Sequence, residues 1–229
     1  LQTELQPRAV ELLTQRAEWA KSLLAAIGKK KLNADVINLN QARRLWELKD
    51  EELSKLLKDH WGEIRDGRNP DRERIVAEMK TYIRGHKGDE ANGEKVFKKV
   101  CGQCHKLYGD GAEVGPDITR NGRNDYQQLL SNVFDPSLVI GPAYQVTTVV
   151  TKDNRNLTGL IAEDNEQRVV VRMPGEGEET VPRSNVKYTR LSKLSMMPEG
   201  IETYLKKRDL ADLFAFLALD KPPTDSSAK

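Results

Sequence analysis

The sequence has almost no cysteine, two residues in 229. That excludes a small disulfide-stapled scaffold, in which paired cysteines replace a core. It also has no apolar run approaching the ~18 residues that a membrane-spanning helix needs. No charge of one sign dominates: 37 Lys+Arg stand against 35 Asp+Glu, for a net charge of +2. The two signs are spread evenly along the chain, so nothing reads as a basic face for nucleic acid. Leu1-Gln2-Thr3-Glu4-Leu5 shows neither an initiator Met nor a charged-then-apolar pattern; the expectation is that a signal was removed or, the favoured reading, that this is a piece of a longer polypeptide. No repeat period emerges either. What is present, 38% hydrophobic and 31% charged residues, fits a helix-rich globular chain long enough to bury a core.

The first two thirds read mainly as helix. Pro7 suits a first helical turn, and Leu13, Ala17, Ala20, Leu24 and Ile27 continue one face as far as Gly28. A short helix is expected after Asn40, carrying Leu45 and Trp46. Asp50 is expected to cap the next, with Leu53, Leu56, Leu57 and Trp61 inward. Asn69-Pro70 opens another, with Ile75, Met79, Tyr82 and Ile83 as its stripe and Gly85 as its stop. A helix from about Asp89 runs into Cys101, a Gly-rich loop spans Gly109 to Gly115, and Tyr126 to Phe134 is helical again. From Tyr144 the period becomes two. Four short strands are expected, from Tyr144, over Asn156 to Ala162, over Arg168 to Met173 and over Glu179 to Val181, with turns at Asp153-Asn154 and Pro174-Gly175-Glu176-Gly177. Helix returns at Ile201 and runs over Arg208 to Leu219. The tail from Pro222 to Lys229 is polar and Pro/Ser-rich, and is expected to be disordered.

Both cysteines fall in one pentapeptide, Cys101-Gly102-Gln103-Cys104-His105. Cys-X-X-Cys-His is the attachment pattern of a c-type haem. Two thiols on one turn reach two vinyl groups, and the following imidazole projects toward iron, a metal it suits. The rival chemistries are weaker. A zinc site wants four ligands, and there is no second cysteine pair. A thioredoxin-like pair sits where a strand enters a helix, and here the preceding segment reads as helix. The second axial ligand is open among Met79, Met173, Met196, Met197, His60 and His86. Met79 fits a core stripe, whereas Met196-Met197-Pro198 lies in a loop before the terminal helix. A thioether there would raise the potential of haem iron.

The ordered set of short matches around this motif resembles the haem-binding cytochrome c domain of planctomycete and verrucomicrobial bacteria, which stands at the C-terminal end of large multidomain proteins. The matching stretches include Gly88-Asp89, Gly93, Val96-Phe97, Cys101 to His105, Gly115-Pro116-Asp117-Ile118-Thr119, Asp135-Pro136-Ser137, Ser195-Met196-Met197-Pro198-Glu199-Gly200 and Asp212 to Leu217. The resemblance implies a mainly α fold with a β insertion: a cytochrome c-like haem domain over 89–221, its insertion at about 142–190. Ahead of it come a helical segment over 1–68, similar to the end of a helical-repeat array, and a connecting helix over 69–88. It also implies one covalent haem c per chain, held by Cys101 and Cys104, with His105 and Met197 on the iron and Met196 as the competitor for the distal position. Gly115 and Pro116 match the loop whose carbonyl orients the proximal imidazole, Ile118 belongs to the same pocket-forming stretch, and Arg120 and Arg123 are candidates for a haem propionate. Gly93 matches a close crossing of the first and last helices of the haem domain.

Read this way, the chain is expected to be an electron carrier rather than an enzyme, since both axial positions are filled. The partners implied are redox proteins, a dehydrogenase as donor and a cytochrome or oxidase-type acceptor, with no nucleic acid and no membrane span. The location implied is periplasmic or otherwise exported. Two other readings stay open at this point. One is a haem enzyme or gas sensor with an open or labile distal site; the other is a helical interaction module over residues 1–88.

Overall fold

Asparagine and aspartate open most of the longer helices of this chain. The computed structural model describes residues 5–119, 123, 125–173 and 177–223. Within them run α1 (Gln6–Leu13), α2 (Ala17–Gly28), α3 (Leu39–Glu47), α4 (Glu51–His60), the short strand β1 (Glu63–Ile64), α5 (Pro70–Arg84), α6 (Glu90–Val100) and α7 (Tyr126–Phe134). There follow β2 (Val139–Ile140), β3 (Gln145–Thr151), β4 (Asn156–Asp164), β5 (Arg168–Met173), β6 (Gly177–Pro182), β7 (Val186–Ser195), α8 (Ile201–Tyr204) and α9 (Lys207–Leu217). Asn38, Asp50, Asn69, Asp89 and Asp125 each accept a first-turn N–H of the helix they precede, which satisfies a donor the helix cannot use itself. The fold is mainly helical with a small antiparallel sheet, a cytochrome c-like architecture carrying a β insertion. Among the described residues no helix is long and apolar enough to cross a membrane.

The chain forms two compact units, each built from two stretches: Leu1–Asp66 with Val139–Met196, and Gly67–Leu138 with Met197–Lys229. In the first unit α2 packs on α4 over Leu24, Leu53 and Leu57, all fully buried. Trp61 donates its indole N–H to the carbonyl of Ile37 at 2.8 Å, and β1 pairs antiparallel with β2. The single helical face expected from Leu13 to Ile27 is broken. The hydroxyl of buried Thr14 donates to the carbonyls of Val10 and Glu11, so the side chain competes for acceptors that the next turn would use. Arg16 then swings to an extended conformation and α2 starts afresh.

The sheet of this unit has the order β6-β5-β4-β3-β7, with every neighbouring pair antiparallel. Four strands form a meander and β7 returns to the far side of β3. Val149, Leu157, Val169, Val171 and Val181 form its own small core. Asn154 turns the β3–β4 hairpin at φ +62°, as the Asp-Asn signal predicts. The turn expected over Pro174 to Gly177 lies, for 174–176, outside the described residues, as does the tail from residue 224.

β7 was not among the four expected strands. It is exposed along nearly its whole length, with Tyr188, Leu191 and Leu194 all more than half exposed, so it has no alternating buried face to betray it. Its register against β3 shifts twice. Together with Lys187, Arg190 and Lys193, those irregularities guard the edge against pairing with another chain.

The second unit is helical and its core is aromatic. Phe97, Phe134 and Phe214 are fully buried. Phe134 stacks on Phe214 at 5.5 Å between centroids, and Phe97 meets Phe216 at 5.6 Å, geometries that add to their burial. α5 joins this core through Val76, Met79 and Ile83, so Met79 is a core residue. α6 crosses α9 at Gly93, where an added Cβ would lie 2.0 Å from the carbonyl oxygen of Asp212. Asp212 is buried and accepts from the Asp89 backbone N–H and the Asn92 amide, both at 2.8 Å. The crossing fixes the direction in which α6 delivers its C-terminus, and there the cysteines begin.

Candidate haem-binding site

α6 stops at Val100, and the next five residues wind into one tight turn. The N–H of Cys101 and that of Gly102 both donate to the carbonyl of Phe97, while those of Cys104 and His105 both donate to the carbonyl of Cys101. Four backbone bonds therefore hold both thiols and the imidazole within a single turn. The preceding element is a helix and not a strand, which sets the pair apart from thioredoxin-like sites. Among the described residues, no group of three or more His, Cys, Asp or Glu side chains is placed to hold a metal ion, so the turn has no zinc-type partners there. The cysteines are unpaired thiols. Burial, with Cys104 beside it, pushes the Cys101 thiol up to about 12, so its sulfur stays protonated.

The loop from Lys106 to Thr119 folds back over this turn. Gly115 donates its N–H to the carbonyl of Cys104 at 2.7 Å, and Ala112 donates to that of Gly102 at 2.9 Å. The imidazole of His105 places Nδ1 3.0 Å from the carbonyl oxygen of Pro116. A carbonyl only accepts, so Nδ1 carries the proton and the lone pair is left on Nε2. Burial lowers the pKa of His105, against the bond to Pro116 that raises it, so the ring is neutral at neutral pH. The residues therefore fit a haem iron. The tautomer, the ring orientation and the basicity of Nε2 are set before any metal arrives.

Two glycines are required by this packing. At Gly111, with φ +109°, a Cβ would lie 2.1 Å from the carbonyl oxygen of His105; at Gly115 it would lie 2.7 Å from Cε1 of the imidazole. Gly115 thus presses its bare backbone on the ring. Gly115→Val is expected to rotate the imidazole off the Pro116 carbonyl, with a loss of about 1–3 kcal/mol from overpacking. Thermal unfolding reads the stability. Histidine NMR reads the second consequence, because Nδ1 should lose its slowly exchanging proton. The need for Gly111 was the less legible of the two, since a Gly-rich loop does not say which of its glycines meets a carbonyl.

The other expected site residues divide. Ile118 packs partly buried against the aromatic core, and its N–H donates to the carbonyl of Lys106. Arg123 is buried and makes four N–H···O bonds, to the carbonyls of Ile118, Thr119, Leu217 and Leu219. Its guanidinium stands 5.1 Å from the centroid of Tyr108, and the four bonds among the described residues leave one of its five N–H groups. Arg120 lies outside the described residues. Met197 is half-buried in the loop between β7 and α8. It belongs to the unit that holds Cys101, Cys104 and His105, whereas Met196 closes the other unit. Among the alternative ligands, Met79 is in the core and Met173 ends β5. His86 stacks on Tyr82 with its Nδ1 on that residue's carbonyl, and the ring of His60 lies against Gly28.

A search of curated proteins finds no match to the chain. The sequence profile of one family, described as cytochrome c, matches residues 90–219. The match runs from the first turn of α6 to just past α9, and takes in the cysteine turn, the imidazole with its carbonyl brace and the close helix crossing. With the profile covering more than half of the sequence, the chain belongs to the cytochrome c family.

Proposed function

We propose that the chain is a monohaem electron-transfer module in which Cys101 and Cys104 would hold one haem c by thioether bonds and His105 and Met197 would be the residues on its iron. The observation that carries this reading is the His105 ring: neutral, with Nδ1 held by Pro116 and Nε2 unprotonated, in a turn one residue from a cysteine. When bound, the haem supplies a reversible one-electron change at iron. The chain's own part is to hold and exclude. Pro116 fixes the donor nitrogen, Gly115 lets the backbone close on the ring, and the Phe97, Phe214 and Phe216 cluster with Ile118 keeps water from that side. Arg120 and Arg123 are the candidates to pair with a haem propionate, Arg123 through the one N–H its carbonyl bonds leave. The thioether of Met197 adds a neutral, soft ligand that favours the reduced state. With His105 and Met197 both on the iron, the haem would have no open site for a substrate, which supports a carrier rather than an enzyme.

Finer features follow from the resemblance. The haem module spans 89–221 with its insertion at about 142–190, of the kind found in planctomycete and verrucomicrobial proteins. Residues 1–68 are the end of a helical-repeat segment, joined through 69–88. Its donor is a dehydrogenase and its acceptor a cytochrome or oxidase-type protein, met through small, short-lived interfaces. Covalent haem attachment places it in the periplasm or another exported compartment. The test is the visible spectrum, oxidised and reduced, of matured protein beside its Met197→Ala variant. The wild type is expected to be low-spin; the variant is expected to turn high-spin, accept exogenous ligands and fall in reduction potential. A wild type that is already high-spin points to an enzyme or sensor instead. An unchanged variant moves the distal position to Met196 or His86.

A further inference from the structure

α5 precedes the residues matched to the family, yet it carries one charged side chain that the second unit buries. The Arg72 side chain is 15% exposed. Its Nη1 donates to Oε1 of Glu202 at 2.9 Å and to the carbonyl of Phe134 at 3.4 Å, and its Nε stands 3.8 Å from a carboxylate oxygen of Glu199. These partners lie at two particular places. Phe134 is the last residue of α7, just before the chain leaves this unit at Leu138; Glu199 and Glu202 follow Met197, where it returns. One guanidinium therefore joins the exit and the re-entry of the chain.

The ion pair is nearly dry. The Glu202 side chain is 10% exposed, and its second oxygen, Oε2, is buried with no hydrogen-bond partner among the described residues. A buried pair of this kind is weak evidence for stability, because desolvation offsets most of the attraction. Its best-attested use is to select one arrangement over others. The arrangement selected here is that of the Met197 loop. Glu199 lies two residues beyond Met197, so their Cα atoms stay within about 7 Å of each other whatever the loop does. Between them Pro198 fixes one dihedral, and Gly200 at φ +93° turns the chain into α8. Holding Glu199 and Glu202 leaves Met197 little freedom.

We propose that Arg72 is a positioning residue for the distal ligand: it clamps the Met197 loop through Glu199 and Glu202 and so keeps the thioether on the haem iron. The proposal rests on Met197 being that ligand. Without the clamp the loop opens more often, and the fraction of molecules whose distal position is free rises.

The test uses the full matured chain with its haem. Arg72→Met is expected to keep the covalent haem and cooperative unfolding. It should nevertheless lose most of the weak far-red band that marks methionine on ferric haem, and bind cyanide about tenfold faster through the larger open fraction. Arg72→Lys, which keeps the charge, should fall between that variant and the wild type, a partial rescue that a general loss of packing does not give. Glu202→Gln, nearly isosteric, is expected to move the band and the cyanide rate in the same direction, and it decides the matter alone if Arg72→Met does not fold. Folded variants with the full band and the wild-type cyanide rate overturn the proposal. The wild type and Met197→Ala keep the two ideas separable. A wild-type band that Met197→Ala abolishes but Arg72→Met and Glu202→Gln leave intact sinks the clamp alone. A wild type without the band sinks the methionine assignment and the clamp with it.

Discussion

Gly93→Val is expected to abolish folding of the haem-bearing unit, and Gly93→Ala to destabilise it by about 3 kcal/mol or more, the upper end of overpacking costs. An added Cβ would meet the Asp212 carbonyl oxygen at 2.0 Å, its carbon at 2.7 Å and the Phe216 Cβ at 2.8 Å. Two of these are backbone atoms of α9, which cannot rotate aside as a side chain can. The helices must separate, and Phe97, Phe214 and Phe216 would lose their contacts together. Asp212 would be drawn away from the Asp89 N–H and the Asn92 amide. The sign is informative, because alanine in place of glycine inside a helix otherwise gains about 1 kcal/mol. Gly67 supplies the control, since a Cβ there has nothing within 4 Å, so Gly67→Ala should be neutral or slightly stabilising. Urea unfolding of the three variants beside the wild type reads all of this. A stabilised Gly93→Ala would mean that α6 and α9 do not cross at this point. Because α6 ends at Cys101, the alanine variant should also mature with less haem attached.

What the sequence disclosed were features with a local cause. Asp50 and Asn69 cap helices because a short side-chain acceptor beside an apolar stripe has few other uses, and each stands one residue before its helix. The cysteine turn was legible because its chemistry needs a fixed spacing. Gly115-Pro116 was legible through resemblance, and the Nδ1 to carbonyl distance now gives it a physical content. What stayed hidden depends on partners distant in the chain. β7 is held by β3 alone on one edge and is exposed elsewhere, so Val186 to Ser195 carries no buried periodicity. β1 and β2 are two residues each and exist only as a pair. The break at Thr14 turns on one hydroxyl that finds the carbonyls of Val10 and Glu11, a choice that the apolar stripe on either side of it does not record. Arg72 was silent for the same reason. Its carboxylate partner Glu202 is 130 residues away, and an arginine in the first turn of a helix otherwise reads as a solvated surface charge.

Arg123 separates two roles that the sequence alone allows, and its removal is the second large effect. Arg123→Met is expected to lose about 3 kcal/mol or more, because a hydrogen bond to a charged group contributes about 1.5–3 kcal/mol and each buried acceptor left unpaired costs about 1–3 kcal/mol. Four carbonyls would lose a donor, although that of Leu219 also accepts from the Tyr108 hydroxyl. Those of Leu217 and Leu219 lie at the end of α9, where the helix leaves acceptors unpaired and its dipole is negative. Those of Ile118 and Thr119 belong to the loop that also carries Pro116. The guanidinium thus ties the end of the last helix to the loop that orients His105, and Tyr108 covers its face. Lysine keeps the charge but not the planar fork, so Arg123→Lys should recover less than half of the loss. The reduction potential discriminates between the two roles. An arginine whose main work is to brace carbonyls changes the melting temperature strongly and the potential little, because only one N–H remains to face a propionate. An arginine that neutralises a propionate does the reverse: its loss shifts the potential while the fold stands. Paired melting curves and redox titrations of the two variants therefore assign Arg123 to the frame of the site or to its cofactor.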